Sequence, residues 1–149
     1  MIKKIQTNSL EETRKLAQTI GSKIQGKTLI LLNGDLGAGK TSFTQGLALG
    51  LGITKNVSSP TFTLMKNYQG RLTLNHIDAY RLEGHPQDLG FDELFDEESV
   101  TVIEWPGFLI DDLPEERLRI NIEIGEDDCR IFEFIASGEN HEALIKDIV

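Results

Sequence analysis

The 149-residue sequence is poor in the residues that mark several classes of protein. It has a single cysteine, Cys129, so no disulfide forms within the chain, which fits a reducing compartment such as the cytoplasm. No apolar run approaches the roughly 20 residues that a membrane-spanning helix needs, and we expect neither a signal peptide nor a membrane partner. Lysine and arginine total 15 against 24 aspartates and glutamates, a formal net charge of −9. This acidic balance argues against a nucleic-acid-binding surface, which depends on basic contacts to phosphates.

The remaining composition is that of an ordinary folded domain. Hydrophobic residues make up 39% of the chain and charged residues 26%, which is typical of a soluble protein with a core. No repeat or linker divides the chain, and we expect residues 1–149 to form one domain. We interpret the acidic stretches 83–98, 111–116 and 123–128 as solvated faces, with docking of a basic partner as the alternative.

Periodicity predicts strands and helices that alternate along the chain. A strand at residues 2–6 precedes a helix that starts at the capping box Ser9-Leu10-Glu11-Glu12 and is expected to end at Gly21. Residues 28–32 form a continuous apolar run, typical of a strand buried on both faces, and a helix follows at about 40–51.

The second half of the chain carries more strands. The predicted segments are strands at 62–68, 71–77, 100–103, 118–124 and 130–135, short helices within 86–97, and a final helix at 139–148. The first two of these strands flank Gln69-Gly70 and read as a hairpin. Strict alternation over 118–124 favours an antiparallel strand with one solvated face. The pattern therefore predicts an α/β protein with a parallel core and antiparallel additions.

The segment after the first buried strand matches the phosphate-binding pattern G-x-x-x-x-G-K-[ST] in full. It reads Gly34-Asp35-Leu36-Gly37-Ala38-Gly39-Lys40-Thr41, and Ser42 follows. Its glycines let backbone amides turn toward an anion, and the helix that begins in it adds a positive N-terminal end. Lys40 brings charge to the β- and γ-phosphates, and Thr41 offers a hydroxyl to Mg²⁺. The predicted fold is thus that of a P-loop NTPase, with a parallel-core mixed sheet flanked by helices and an antiparallel C-terminal hairpin.

Two carboxylates and one loop complete the predicted site. Asp78 and Glu104 each close a predicted strand, so either suits Mg²⁺ while the other orients the attacking water. Alternatively, either carboxylate could only cap a helix or form an ion pair in a loop. Residues 58–61 offer the Thr61 hydroxyl where related proteins sense the γ-phosphate, although the same residues fit a plain β-turn.

Other polar and aromatic residues allow two interpretations each. Trp105 fits the core, or a position against a partner or the nucleotide. Arg81 and Arg130 supply charge near phosphate or base, or form surface pairs. The guanine-reading pattern Asn-Lys-x-Asp is missing, which favours ATP. Three histidines are too scattered for a metal cluster and are interpreted as structural or exposed: His76, His85 and His141.

Several segments, in this order, resemble the TsaE (YjeE) family of bacterial ATPases. Beside the phosphate loop they are Glu12-Thr13, Ser59-Pro60-Thr61-Phe62, His76-Ile77-Asp78-Ala79-Tyr80-Arg81-Leu82 and Ile103-Glu104-Trp105-Pro106. The likeness spans nearly the whole chain. The phosphate loop is common to the whole superfamily, whereas the last two segments are far more particular. Ala79 stands where many relatives have leucine.

The resemblance implies an ATPase that acts with TsaD and TsaB to place threonylcarbamoyladenosine beside the tRNA anticodon. Because the chain is acidic, we expect tRNA to be met only through that complex, and our hypothesis is that hydrolysis releases or resets the assembly. The resemblance also assigns roles within this chain: magnesium binding to Thr41 and Glu104, hydrolysis to Asp78, a switch-like loop to Thr61, activity to Trp105, and adenosine contact to Thr13 and Arg130. Two alternatives are a small-molecule kinase, which would need an arginine-bearing lid, and a module in which nucleotide only holds a complex together.

Overall fold

The computed structural model of the protein describes residues 1–35, 37–55, 57, 65–78, 98–104 and 113–148. The helices predicted within 86–97 and the loop at 58–61 lie outside these ranges. Within them, the strands are β1 (Ile2–Thr7), β2 (Thr28–Gly34), β3 (Met65–Tyr68), β4 (Leu74–Asp78), β5 (Val100–Glu104), β6 (Arg117–Ile124) and β7 (Arg130–Ser137). The helices are α1 (Leu10–Lys23), α2 (Lys40–Gly50) and α3 (Glu139–Ile145). None of these helices combines the length and apolar character needed to span a bilayer.

The strands form one seven-stranded sheet in the order β1-β7-β6-β2-β5-β4-β3. Strand β2 is parallel to β5 and β6, and β5 is parallel to β4. The antiparallel pairs lie toward the two edges, β3 on β4 and β7 between β6 and β1. The predicted parallel core with antiparallel additions is therefore confirmed. Because parallel strands share a direction, β2, β4, β5 and β6 all end at one edge of the sheet, where ligands bind in open α/β sheets.

One face of this sheet packs against the helices. The fully buried side chains of Ile30 and Leu32 on β2 belong to the same core cluster as Phe43 and Leu47 on α2. The Phe43 ring also lies 5.7 Å from that of Phe132 on β7, centroid to centroid. Burial of this apolar surface, rather than helix propensity, is what holds α2 and the loop before it against the sheet.

The prediction that the first helix ends at Gly21 was wrong. Helix α1 continues to Lys23, and Gly21 lies inside it at the contact with α2. A Cβ on Gly21 would lie 2.4 Å from the Leu47 carbonyl oxygen, and one on Gly46 would lie 2.3 Å from that of Arg14. The glycines therefore allow the two helices to touch through their backbones. A glycine at a helix crossing and one at a helix end give the same local pattern, so sequence alone did not separate them.

The hairpin predicted around Gln69-Gly70 is confirmed over the described residues, but its second strand begins at Leu74 rather than at residue 71. Tyr68 pairs with Leu74, which leaves residues 69–73 as the connection. Arg71 in this connection donates hydrogen bonds to the carbonyl oxygens of Ile24 at 2.5 Å, Gly21 at 3.0 Å and Gly50 at 3.3 Å. One guanidinium thus binds the negative C-terminal ends of α1 and α2 together.

Three smaller differences concern ends and neighbours of elements. Helix α3 ends at Ile145 rather than at residue 148. The strand predicted at 118–124 is antiparallel to β7 only, because β2 lies parallel to it on the other side. At the start of α1, the Ser9 hydroxyl accepts from the Glu12 amide at 3.1 Å as predicted, while the Glu12 carboxylate accepts from the amide of Asn8.

His141 on α3 is structural, as predicted. It is 5% exposed, and its Nε2 accepts a hydrogen bond from the Leu29 amide of β2 at 3.1 Å. Desolvation lowers the pKa of this imidazole below its ordinary value of 6.5, and the nearby Glu116 carboxylate only partly opposes the shift. The folded protein therefore keeps His141 neutral where the unfolded chain takes up a proton.

This burial predicts a pH dependence of stability. Below pH 6.5 the unfolded state binds the extra proton first, so the free energy of unfolding falls as the pH falls, by at most about 1.4 kcal/mol per pH unit. Urea denaturation at several pH values between about 7 and about 5.5 measures this loss. His141→Gln keeps an acceptor for Leu29 without the titration and should lose less stability over that range. Parallel losses in both proteins would contradict the assignment.

Candidate functional site

The glycine-rich loop joins β2 to α2 at the carboxyl edge of the parallel strands. Gly37 and Gly39 have φ values of +84° and +103°, a left-handed conformation that side chains with a Cβ rarely adopt. A Cβ at either glycine would meet nothing within 4 Å, so it is the backbone conformation, not space, that calls for glycine here. The Ala38 amide donates to the Asp35 carbonyl at 3.0 Å and closes a turn within the loop. Leu36 lies outside the described residues.

The N-terminus of α2 differs from that of α1 in how its amides are satisfied. Helix α1 has the Ser9 side-chain cap and two acidic residues, Glu11 and Glu12, in its first turn. Helix α2 has Gly39 as its N-cap, no side-chain cap hydrogen bond and no acidic residue in its first turn. The first amides of a helix have no intrahelical partner and carry partial positive charge. The end of α2 that meets the loop is therefore suited to bind an anion.

Lys40 is the first residue of α2 and is only 8% exposed. Its Nζ donates to the carbonyl oxygens of Gly34 at 2.5 Å and Asp35 at 3.3 Å, so the ammonium lies inside the curve of the loop. Desolvation lowers the pKa of Lys40 below 10.5, and the carboxylates of Glu104, Asp35 and Asp78 oppose the shift. Thr41 and Ser42 follow, both half-buried in the first turn of α2.

Asp78 and Glu104 end two neighbouring parallel strands and lie side by side. They are register partners at the ends of β4 and β5, and Glu104 also pairs with Leu32 near the end of β2. Glu104 is 3% exposed, whereas Asp78 is half-buried. Carboxylate and hydroxyl oxygens are ligands that Mg²⁺ prefers, usually one or two carboxylates together with phosphates. The described residues accordingly hold no group of three or more His, Cys, Asp or Glu that could bind a metal alone.

His76 lies beneath the carboxylates, in a place that sequence reasoning did not foresee. Its imidazole is fully buried, and its Nε2 is 3.3 Å from an Oε of Glu104. The signal was present in the sequence, because His76 precedes Asp78 by two residues and side chains two apart on a strand share a face. His76 is thus a structural residue, as predicted, but its place is under the site.

The remaining predicted site residues are divided between described and undescribed parts of the chain. Arg130 opens β7 and donates from Nε to the Ala38 carbonyl oxygen at 3.1 Å and from an Nη to that of Gly37 at 3.3 Å. Thr13 is fully buried on α1, with its hydroxyl 2.8 Å from the Thr7 hydroxyl. An adenosine contact by Thr13 or Arg130 stays a prediction. Three of these predicted residues lie outside the described ranges, Thr61, Arg81 and Trp105, as does His85.

The fold and this site together define the class of the protein. It is a mixed α/β protein with the strand–loop–helix arrangement of the P-loop NTPase fold. A family model described as "Threonylcarbamoyl adenosine biosynthesis protein TsaE" matches residues 7–132. The chain belongs to the TsaE family, which is involved in tRNA threonylcarbamoyladenosine biosynthesis.

Individual relatives agree with this assignment over nearly the whole chain. The TsaE protein of Bacillus subtilis (strain 168) is 44% identical over 146 residues, which cover 97% of this chain and 92% of that protein. The TsaE protein of Treponema pallidum (strain Nichols) is 40% identical over 83% of this chain and 93% of its own length. The crystal structure of Bacillus subtilis YdiB superposes with a TM-score of 0.84 at 39% identity, covering 99% of this chain and 93% of that one.

Proposed function

We propose that the protein binds and hydrolyses ATP with Mg²⁺ in the cytoplasm, and that this cycle serves the threonylcarbamoyladenosine modification of tRNA. One observation carries the proposal. Lys40, at the uncapped N-terminus of α2, lies among loop carbonyls on one side and the carboxylates Asp78 and Glu104 on the other. This combination of helix N-terminal amides, a cation and two acids suits a triphosphate and a divalent cation.

Each residue of the site has a distinct task in this proposal. The amides of the loop and of the first turn of α2 bind phosphate oxygens, and Lys40 exchanges its contacts with Gly34 and Asp35 for the β- and γ-phosphates. Thr41 and Glu104 hold Mg²⁺, which neutralises charge on those phosphates when it is bound. Asp78 orients the attacking water. His76 supports Glu104 from below.

The cycle is proposed to act through TsaD and TsaB. ATP stabilises one conformation of the loop at 58–61, which docks on the two partners, and hydrolysis releases the assembly. A ligand shifts such an equilibrium only by its different affinity for the two states. The family membership and the resemblance of the Asp78 and Glu104 segments support this assignment. Since the chain itself is acidic, tRNA is proposed to be held by the partners.

Turnover measured alone and with the partners tests this function. Arg130 lies beside the loop, but its guanidinium donates to the loop carbonyl oxygens of Gly37 and Ala38, and no arginine finger is evident in the sequence. An arginine that reaches the transition state is worth about 10³–10⁵-fold in related enzymes. We therefore expect slow ATP hydrolysis by the isolated protein and a rise of at least about tenfold when purified TsaD and TsaB are added. Equal rates would contradict partner activation.

A genetic measurement connects the site to the tRNA. In cells that lack this gene, the modified nucleoside should be lost from tRNA, and a wild-type copy should restore it. A Lys40→Ala copy should fail to restore it, provided that the variant is present at the same level. Phosphate transfer from ATP to a panel of nucleosides and metabolites would instead favour the small-molecule kinase.

A further inference from the structure

We propose that Arg130 is a positioning residue that holds the phosphate loop in its anion-binding shape by binding the loop's own carbonyl oxygens. The proposal rests on the proposed function, because it concerns how the same loop binds phosphates. It differs from an adenosine contact, which acts on the other end of the nucleotide.

All three guanidinium nitrogens of Arg130 donate to carbonyl oxygens. Nε reaches the Ala38 oxygen at 3.1 Å, and the two Nη atoms reach those of Gly37 at 3.3 Å and Cys129 at 2.8 Å. Two of these acceptors belong to the loop, and the third belongs to Cys129, the residue just before β7. The planar fork of an arginine fits such a set, whereas a lysine offers a single point of charge.

The two loop carbonyls determine where the neighbouring amides point. In a trans peptide, the carbonyl oxygen of one residue and the amide of the next point in opposite directions. Holding the Ala38 oxygen therefore turns the Gly39 amide away from Arg130, toward the side where α2 begins. Holding the Gly37 oxygen likewise turns the Ala38 amide away, and this amide closes the turn onto Asp35 at 3.0 Å.

The loop requires such a restraint because glycine is conformationally free. Gly37 and Gly39 flank the held carbonyls and have positive φ values of 84° and 103°, a conformation that glycine samples among many others in the absence of contacts. Restraining these glycines before the ligand arrives reduces the conformational entropy that is lost when the ligand binds.

Arg130 is well fixed for this task. It opens β7 and pairs with Thr7 of β1 on one side and with Ile124 of β6 on the other. The adjacent Cys129 donates from Sγ to the Asn8 side chain at 3.3 Å, beside the start of α1. The loop is thus tied to the antiparallel half of the sheet, although it arises from the parallel half.

Binding of inorganic tripolyphosphate separates this role from a contact with the base. Isothermal titration calorimetry is carried out with Mg²⁺ and tripolyphosphate, ADP or ATP, on the wild type, Arg130→Met and Arg130→Lys. We expect Arg130→Met to weaken all three ligands by a similar factor of about 10, which corresponds to 1.4 kcal/mol. Arg130→Lys should lose less, because its ammonium keeps the positive charge and can still donate to one of the carbonyl oxygens. Unchanged tripolyphosphate affinity with weakened ADP and ATP would overturn the proposal in favour of a nucleoside contact.

Arg71→Met is the matched control for general loss of stability. It removes an arginine that also binds three carbonyls, but at the other end of α2. It should lower the melting temperature while leaving tripolyphosphate affinity within about twofold of the wild type. Equal weakening in Arg71→Met and Arg130→Met would overturn the proposal, since both effects would then follow from stability alone.

Hydrogen exchange of the ligand-free protein tests the restraint even if no nucleotide binds. The amides of residues 37–41 should exchange about tenfold faster in Arg130→Met than in the wild type, while those in the middle of α2 stay unchanged. Unchanged exchange in the loop would overturn the proposal. Failure of the wild type to bind either ATP or tripolyphosphate would refute the proposed function, and the exchange comparison would still decide the role of Arg130.

Discussion

Replacing Lys40 by methionine is expected to weaken ATP binding by about 100-fold and to abolish measurable turnover. Lys40 is 8% exposed and its ammonium lies against the Gly34 and Asp35 carbonyls, where water competes little with a phosphate. Loss of one partner from a buried charge pair costs about 2–5 kcal/mol, and each 1.4 kcal/mol is tenfold in affinity. Methionine keeps much of the length and the apolar stem of the side chain, so the substitution removes mainly the positive charge. Calorimetry with Mg²⁺ and ATP measures the effect.

A lysine on the surface supplies the control. Lys15 on α1 is 74% exposed and pairs only with Glu11 at 3.8 Å among the contacts described, so Lys15→Met should leave ATP affinity unchanged. Burial lowers the pKa of Lys40. As the pH is raised, the wild type should therefore begin to lose ATP affinity at a lower pH than it would if this lysine had its ordinary pKa. Lys40→Met should lack this dependence. Wild-type affinity in a folded Lys40→Met protein would contradict the assignment of the phosphate site.

The strand–loop–helix unit was predictable because its physical requirements are local. A run of four apolar residues at 29–32 specifies a buried strand, and the spacing of Gly34, Gly39 and Lys40 specifies the turn that follows. The second buried strand and its closing Glu104 are specified in the same way. Once strands are known to be parallel, their ends are expected at one edge of the sheet. That Asp78 and Glu104 fall beside each other depends also on the strand order, in which β4 and β5 are neighbours.

Contacts between distant segments were not predictable in this way. Arg71 was read as part of a strand, but its guanidinium binds the ends of two helices that are close only in the fold. Gly21 was read as a helix end, although its role is to admit the backbone of α2. Arg130 was assigned to the nucleotide, and the structure adds its contact with loop carbonyls 92 and 93 residues away in sequence. Local periodicity carries no information about these partners.

Two isosteric variants distinguish the roles of Asp78 and Glu104. Both should lose turnover, one through a higher Mg²⁺ requirement and the other through a lower kcat. Glu104→Gln removes a charge that is 3% exposed and should raise the Mg²⁺ concentration needed for half-maximal turnover by at least about 10- to 100-fold, the range found when a metal site loses a supporting group. Asp78→Asn should lower kcat by about 10²–10⁴-fold, the usual contribution of a group that handles the attacking water, at an unchanged Mg²⁺ requirement. Steady-state rates over a range of Mg²⁺ concentrations measure both.

These two variants also separate hydrolysis from assembly, because neither residue belongs to the amide-lined loop that is proposed to bind the phosphates. Asp78→Asn should therefore keep ATP affinity within about threefold of the wild type while turnover is lost. If cells carrying it as their sole copy modify tRNA at the normal level, nucleotide serves only to hold the complex together and hydrolysis is dispensable. If modification stops although ATP and the partners still bind, the chemistry at Asp78 is what each round requires. If the Mg²⁺ requirement is raised in Asp78→Asn instead, the roles of the two carboxylates are reversed. The metal site would still lie at the ends of β4 and β5.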